Sequence, residues 1–314
     1  MRDHPALART IGLRRRHVID RAFVIVCTTV AVVAVALVGV LIVSIARSGM
    51  HHLDLSFLTS RSHFRAESAG IRDGILGSLW VCAICGGVGL PLGIGAAVYL
   101  HEFAPRGRFA SFIQVNIANL AGVPSVVYGL VGLSAFAYFG GLMGDDRYRV
   151  GFAGTPFLVE IPFGRTVLTG GLTLMLVVLP VVIISTQEAL RAVPDSLRQG
   201  ALALGATPWQ VVRRMTLPCA MPGIMTGAIL AMSRAIGETA PILVAGAVLE
   251  AAAPTSLASK YTAMPVQIYH WVGHTDPEFH RVAAAGILVL LAVLLTLNLI
   301  AMLIRARFSR PVSV

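Results

Sequence analysis

Five stretches of this chain run for more than twenty residues without a formal charge, at about Ala22–Ile45, Gly74–Leu100, Phe109–Leu142, Thr166–Gln187 and Val282–Ile304. A sixth, from about Pro222 to Leu249, is as apolar but carries Arg234 and Glu238. About 20 apolar residues in a helix span the hydrocarbon core of a bilayer. Runs of this kind restrict the chain to an all-α integral membrane protein with six transmembrane helices. Composition agrees: 56% of residues are hydrophobic and only 13% charged, too little polar surface for a soluble domain of this size.

Arg14-Arg15-Arg16 precedes the first run as in a secretory signal, but the apolar part of a signal is only about 7–15 residues long. The longer run here reads as an uncleaved first helix. The third run is too long for one straight helix. Pro124 with Gly122, Gly129, Gly132, Gly140 and Gly141 predicts a kink or a re-entrant end within it. The expected organisation is a cytoplasmic N-terminal segment 1–21, a first span 22–45, an extracytoplasmic loop 46–73, a five-helix core 74–304 with a cytoplasmic loop 185–220, and a cytoplasmic tail 305–314. Gly89-x-x-x-Gly93 and Gly223-x-x-x-Gly227 put small residues on one face of their helices, where neighbouring backbones can approach.

Orientation follows from the positive residues. Fifteen arginines flank the N-terminus, the His101–Arg108 and Ser185–Pro218 connections and the tail, against nine Lys or Arg on the opposite side. The bias puts both termini and the Pro194–Pro218 connection in the cytoplasm. The net charge of +10 does not indicate nucleic acid, because the arginines lie in short pieces between apolar runs and Lys260 is the only lysine. That lysine also excludes a phosphate-cradling loop ending in Gly-Lys-Ser/Thr, since it stands between Ser259 and Tyr261. The chain is therefore expected not to be an enzyme and to hold no cofactor. Cys82-x-x-Cys85 has no second pair to complete a zinc site and reads as small apolar packing within a span. His270-x-x-x-His274 with Asp276, Glu278 and His280 reads as a solvated connector that meets a binding protein, rather than as a metal site.

The cytoplasmic connection has its own local structure. Gly205 fits the end of one short helix, where a left-handed backbone costs glycine little. Thr207, Pro208 and Gln210 compose a capping box opening a second. Leu197, Ala201 and Leu204 share one face of the first helix, and Trp209 and Val212 give the second a stripe of its own. Two capped amphipathic helices need something to bury against: a partner protein, or the chain's own helix ends.

Arg234 and Glu238 are the charges left inside the spans, and a charge at the bilayer centre costs about 3 kcal/mol on insertion scales. Their i, i+4 spacing puts them on one face. They either neutralise each other or face a wet path for a charged substrate. Gly237, Thr239 and Pro241 loosen the helix at the same depth, which favours the path, and a guanidinium offers a fork of donors to an oxyanion. Asn119 and Tyr128 in the third run are polar handles that either face the path or are satisfied internally.

The connection resembles the loop of ABC importer permeases that reads Glu-Ala-Ala, three residues, Gly, nine residues, Ile-x-Leu-Pro. Here it is Gln199-Gly200-Ala201, then Gly205, then Met215-x-Leu217-Pro218, with both spacings intact. The resemblance implies a type I importer permease fold in the plasma or inner membrane. It also implies that Gln199, Gly200, Ala201, Gly205, Leu217 and Pro218 belong to coupling helices that enter a groove on an ATP-binding subunit. Gln199 replaces the acidic residue and removes its ionic contact. More narrowly, Ser233-Arg234-Ala235-Ile236-Gly237-Glu238-Thr239-Ala240-Pro241, with Pro91-Leu92-Gly93-Ile94 and Pro124-Ser125, is similar to phosphate importer permeases of the PstA family. That implies inorganic phosphate as substrate, with Arg234, Glu238, Ser233, Thr239 and Tyr128 along its pathway. The implied partners are two ATP-binding subunits, a second permease subunit and an extracytoplasmic phosphate-binding protein. Relatives are expected to carry an arginine where this chain has Ile184-Ser185. Permeation of another oxyanion, such as sulfate or molybdate, and a non-transporting membrane scaffold or sensor are the competing readings.

Overall fold

The computed structural model describes residues 5–63, 65–105, 107–138, 148–150, 159–161, 164–248 and 251–308. The helices are α1 (Pro5–Gly49), α2 (Leu55–Thr59), α3 (Arg72–Phe103), α4 (Arg108–Ala121), α5 (Ser125–Gly132), α6 (Val167–Arg191), α7 (Asp195–Ala203), α8 (Pro208–Gly237), α9 (Ala240–Val244), α10 (Met264–Val272) and α11 (Pro277–Phe308). Between α5 and α6, β1 (Tyr148–Val150) pairs antiparallel with β2 (Val159–Ile161). The long connection thus contains one antiparallel strand pair, and the remaining secondary structure among the described residues is helical.

Among the described residues, five of these helices are long and apolar enough to cross a membrane, and counting the bent pair α4–α5 as one span brings the number to six. The bend is 105° and falls at Gly122–Pro124, where Pro124 cannot continue the α4 hydrogen-bond ladder. The kink expected in the third run is therefore present. The first helix extends beyond the expected 22–45 at both ends, because Arg14–Arg16 and Arg47 are as compatible with helix as the apolar run between them.

Helix α6 is the centre of the bundle. Gly89 and Gly93 of α3 lie against its Met175 and Val182. On another side, Gly223 and Gly227 of α8 lie against its Ala189 and Ser185. Both small-residue pairs thus serve one helix. The main core joins Val81 and Cys85 of α3, Leu174 and Val178 of α6, and Ala231 and Ala235 of α8. A second cluster at the end of the bundle far from α7 joins Phe57, Ile71, Trp271, Phe279 and Ala285. Helix α1 stands outside, with Gly49 at its end pressed on Ala284 and Ala285 of α11.

The fifth crossing departs from its expected bounds of about 222–249. It begins at Pro208, because the second helix of the connection continues through a π turn at Val212–Thr216 into the apolar span. It ends at Gly237. The apolar residues beyond form α9 and a non-helical segment whose Tyr261, Thr262 and Ala263 are buried against the rest of the protein. That segment replaces missing helix hydrogen bonds with its own: Val167 and Leu168 at the start of α6 donate to Ser259 and Leu257 carbonyls. Asp73 accepts from the Ala253 amide, Ser78 from the Met264 amide, and Gln267 donates to the Gly70 carbonyl. Burial pushes the Tyr261 phenol above its ordinary pKa, so it stays neutral.

Candidate functional site

Arg234 lies in the last turn of α8, where the exposed carbonyl end of the helix favours a cation. Glu238 follows the helix end, and its Oε1 accepts from Arg234 Nε at 2.9 Å. The two side chains differ in environment: Arg234 is 55% exposed and Glu238 only 16%. The guanidinium is exposed, and among the described residues its Nη1 and Nη2 have no hydrogen-bond partner. Met232, half a turn earlier, packs near Gly86 close to the middle of α3, which sets the pair level with the middle of that span. Backbone that leaves helical form at that depth is tolerated only where it is buried in protein or lines a wet cavity.

The break after Gly237 faces the bent pair. Gly129 of α5 approaches the backbone of Pro241 in α9, and Gly132 approaches Thr173 of α6. Small residues on α5 thus let the re-entrant arm close on the break. Thr239, half-buried, precedes α9 and its carbonyl accepts from the Leu243 amide.

Two of the expected pathway residues are engaged elsewhere. Tyr128 is buried and its hydroxyl donates to the Leu120 carbonyl at 2.7 Å, latching α5 across the bend to α4. Its polar group meets an internal need created by the kink. Ser233 donates to the Ile229 carbonyl and also meets Asn298 of α11, on a different face of α8 from Arg234. Asn119 is exposed near the end of α4.

The connection between α6 and α8 folds as its local signals indicate. Gly205 has a φ of +84°, and Thr207 and Gln210 form both bonds of the capping box. The apolar stripe of α7 is covered by the chain itself at one end only. Leu197 joins the cluster of Val98, Leu190, Val193, Val212, Ala220 and Ile224, but Leu204 is 91% exposed. Leu204 still donates a helical bond to the Gly200 carbonyl and keeps its place on that face, but nothing in the chain covers this end of the stripe among the described residues. Gln199, Gly200, Leu202, Leu204, Trp209 and Pro218 face outward, whereas Ala201 and Leu217 are half-buried. One side of the island rests on the chain's own helix ends and the other is open.

Two polar links were invisible in the sequence. Gln114 of α4 donates to Gln187 of α6 at 2.9 Å, and Arg198 of α7 pairs with Glu102 of α3 at 3.1 Å. Both join residues far apart in the chain, and spacing rules carry no such signal. In the outer segment the His274 ring packs on Phe279 with centroids 4.1 Å apart, and no group of three metal-ligating side chains forms among the described residues.

The profile of the family described as binding-protein-dependent transport system inner membrane component matches residues 89–314. The chain belongs to this family. It is a multi-pass membrane protein of the kind that serves ABC transporters as permease, and not an enzyme in itself. The chain is 31% identical over 314 residues to phosphate transport system permease protein PstA 1 of Mycobacterium tuberculosis (strain ATCC 25618 / H37Rv), covering 96% of this chain and 92% of that protein. It is 35% identical over 213 residues to the probable ABC transporter permease protein YqgI of Bacillus subtilis (strain 168), covering 68% of this chain and 65% of that protein's length. Among solved structures, the inward-facing MetNI methionine ABC transporter matches with a TM-score of 0.54 at 17% identity, covering 76% of this chain and 95% of that one. A bacterial alginate ABC transporter matches at the same TM-score and 18% identity, over 76% of this chain and 79% of that one. These structures share the fold of a type I importer permease.

Proposed function

We propose that the chain is the membrane-spanning permease subunit of an ATP-driven importer of inorganic phosphate. The observation that carries this is the Arg234–Glu238 pair at the broken end of α8, with the guanidinium exposed and the carboxylate half-sheltered beside it. A free guanidinium face at mid-bilayer depth offers paired donors to an oxyanion. Glu238 repels an anion unless that anion has a proton to donate. Monoprotonated phosphate has one and sulfate does not. The relatives named for phosphate transport support the same substrate.

Energy comes from outside the chain, which has no phosphate-binding loop. The exposed side of the island, from Gln199 to Gly205 with Trp209, is the proposed docking face for two ATP-binding subunits. A second permease completes the pathway, with Thr239 and Tyr128 supporting the walls around Arg234, and an extracytoplasmic phosphate-binding protein delivers the substrate. The arginine bias puts both termini and the island in the cytoplasm of a cell whose plasma or inner membrane holds the complex.

The test is uptake of labelled phosphate by proteoliposomes containing the complete complex. Uptake is expected only with ATP on the island side and the binding protein on the other. Sulfate uptake in place of phosphate overturns the substrate, uptake with ATP on the far side overturns the orientation, and ATP hydrolysis without any uptake favours a scaffold.

A further inference from the structure

The transport reading leaves the Arg198–Glu102 pair unused. Arg198 stands on α7 beside Gln199 but points inward. Its Nη2 lies 3.1 Å from Glu102 Oε1 and donates to the Leu190 carbonyl at 2.8 Å, while Nη1 donates to Asp195 at 3.1 Å. His101 approaches the same Glu102 oxygen at 3.8 Å. One guanidinium therefore ties the island's first helix to the ends of both α3 and α6. The pair is largely sheltered, at 20% exposure for Arg198 and 11% for Glu102. Solvent and salt screen such a pair less than a surface one.

We infer that Arg198 and Glu102 form the strap that passes the island's movement to α3. They are positioning residues for translocation and do not touch the substrate. The inference rests on the importer reading above. Helix α8 is continuous with the island and α6 precedes it by three residues, so both follow the island through the chain itself. Helix α3 is remote in sequence. Apart from the strap it meets the island end through Val98 and Ile94 in the apolar cluster and through Phe103, whose ring centroid lies 6.1 Å from that of Trp209. Apolar contacts are not directional and allow sliding, whereas a sheltered ion pair resists separation. Movement of α3 matters because Gly86 lies against Met232 and Val81 and Cys85 share the core with Ala231 and Ala235, the residues that frame Arg234. Glu102 lies within the π turn Tyr99–Phe103 of α3, and the helix that carries Arg198 packs on the π turn Val212–Thr216 of α8. Such turns interrupt the regular helix ladder and commonly mark functional sites.

The test uses the complete complex carrying wild-type chain, E102A, R198A, the double variant or the volume-conserving E102Q. Each complex is scored for retention of the ATP-binding subunits, ATP hydrolysis and phosphate imported per ATP. Either alanine variant is expected to keep the ATP-binding subunits and hydrolysis while import per ATP falls about tenfold, with the double variant no worse than the singles. E102Q, which keeps packing and loses charge, is expected to fall in the same direction and stands in if E102A does not assemble. Import per ATP at the wild-type level in E102A or E102Q overturns the strap. So does a double variant showing the product of the two single losses, or variants that shed the ATP-binding subunits. A wild-type complex that hydrolyses ATP and imports nothing overturns the importer reading and the strap with it. Normal wild-type import with unchanged variants overturns the strap alone.

Discussion

On the proposed pathway Glu238 would narrow the choice of anion more than Arg234, because a guanidinium alone holds any oxyanion that fits between its nitrogens. The carboxylate is the half-sheltered member of the pair, and a substrate that replaces its contact to Arg234 Nε must still satisfy it. A protonated phosphate oxygen does so by donating a hydrogen bond, whereas sulfate confronts it with like charge. Substituting Glu238→Gln supplies an amide that donates as well as accepts, and removes the repulsion. A hydrogen bond to a charged group contributes about 1.5–3 kcal/mol, so the preference for phosphate over sulfate is expected to fall by about tenfold or more in E238Q. Competition of sulfate against labelled phosphate uptake measures it directly. An unchanged preference would leave Glu238 as no more than a partner for the arginine.

Helix α6 illustrates what an element reveals in sequence and what it withholds. The glycine spacings of α3 and α8 were legible as faces of close approach, since a 3.6-residue period depends only on local order. That both faces serve α6 was not legible, because periodicity does not name the neighbour. The same limit hid Glu102 and Gln114. The island was readable in detail because a capping box and a left-handed glycine act within four residues. What its local signals did not show is which stripe residues the chain itself covers: Leu197 and Val212 are packed, whereas Leu204 and Trp209 are exposed. The fifth span was drawn too long because the segment after Gly237 is buried in protein and is as apolar as one facing lipid. Close approach also explains Ser185, which occupies the α6–α8 interface: a Cβ on Gly227 would lie 2.6 Å from Ser185 Cβ. An arginine at 185 has no room there. Gly227→Ala is expected to destabilise the bundle by about 1–3 kcal/mol through overpacking. Adding Ser185→Gly removes the obstructing atoms and is expected to restore most of the loss. Thermal unfolding of the purified chain in detergent reads both changes, and a G227A protein as stable as wild type would contradict the packing.

At the scale of the whole molecule, the question is which exposed surface meets lipid and which meets protein or water. Helix α1 exposes Val, Leu and Ile all round, as a lipid-facing helix does. Helix α4 is different. It exposes Phe109, Phe112 and Val115, yet Asn116 and Asn119 are exposed on the same helix, with the Asn116 amide donating to the Phe112 carbonyl. Leaving such a group without full hydrogen bonding in hydrocarbon costs about 1–3 kcal/mol on mutational scales. The asparagines therefore argue that this side of α4 faces a second permease or the wet path between the two. The adjoining arm α5 closes on the break beside Arg234, so the open side of the bundle and the charged pair belong to one region. The double substitution Asn116→Leu with Asn119→Leu separates the possibilities. If the face meets lipid, the variant gains stability in a bilayer and transports normally. If it meets the partner or the path, as its polarity indicates, the chain alone remains as stable as wild type in detergent. Phosphate uptake by the assembled complex then falls by about tenfold, the effect of removing roughly one hydrogen bond from the interface. Co-purification of the second permease tells the two protein-side cases apart, since loss of assembly marks an interface and loss of uptake in an intact complex marks the path.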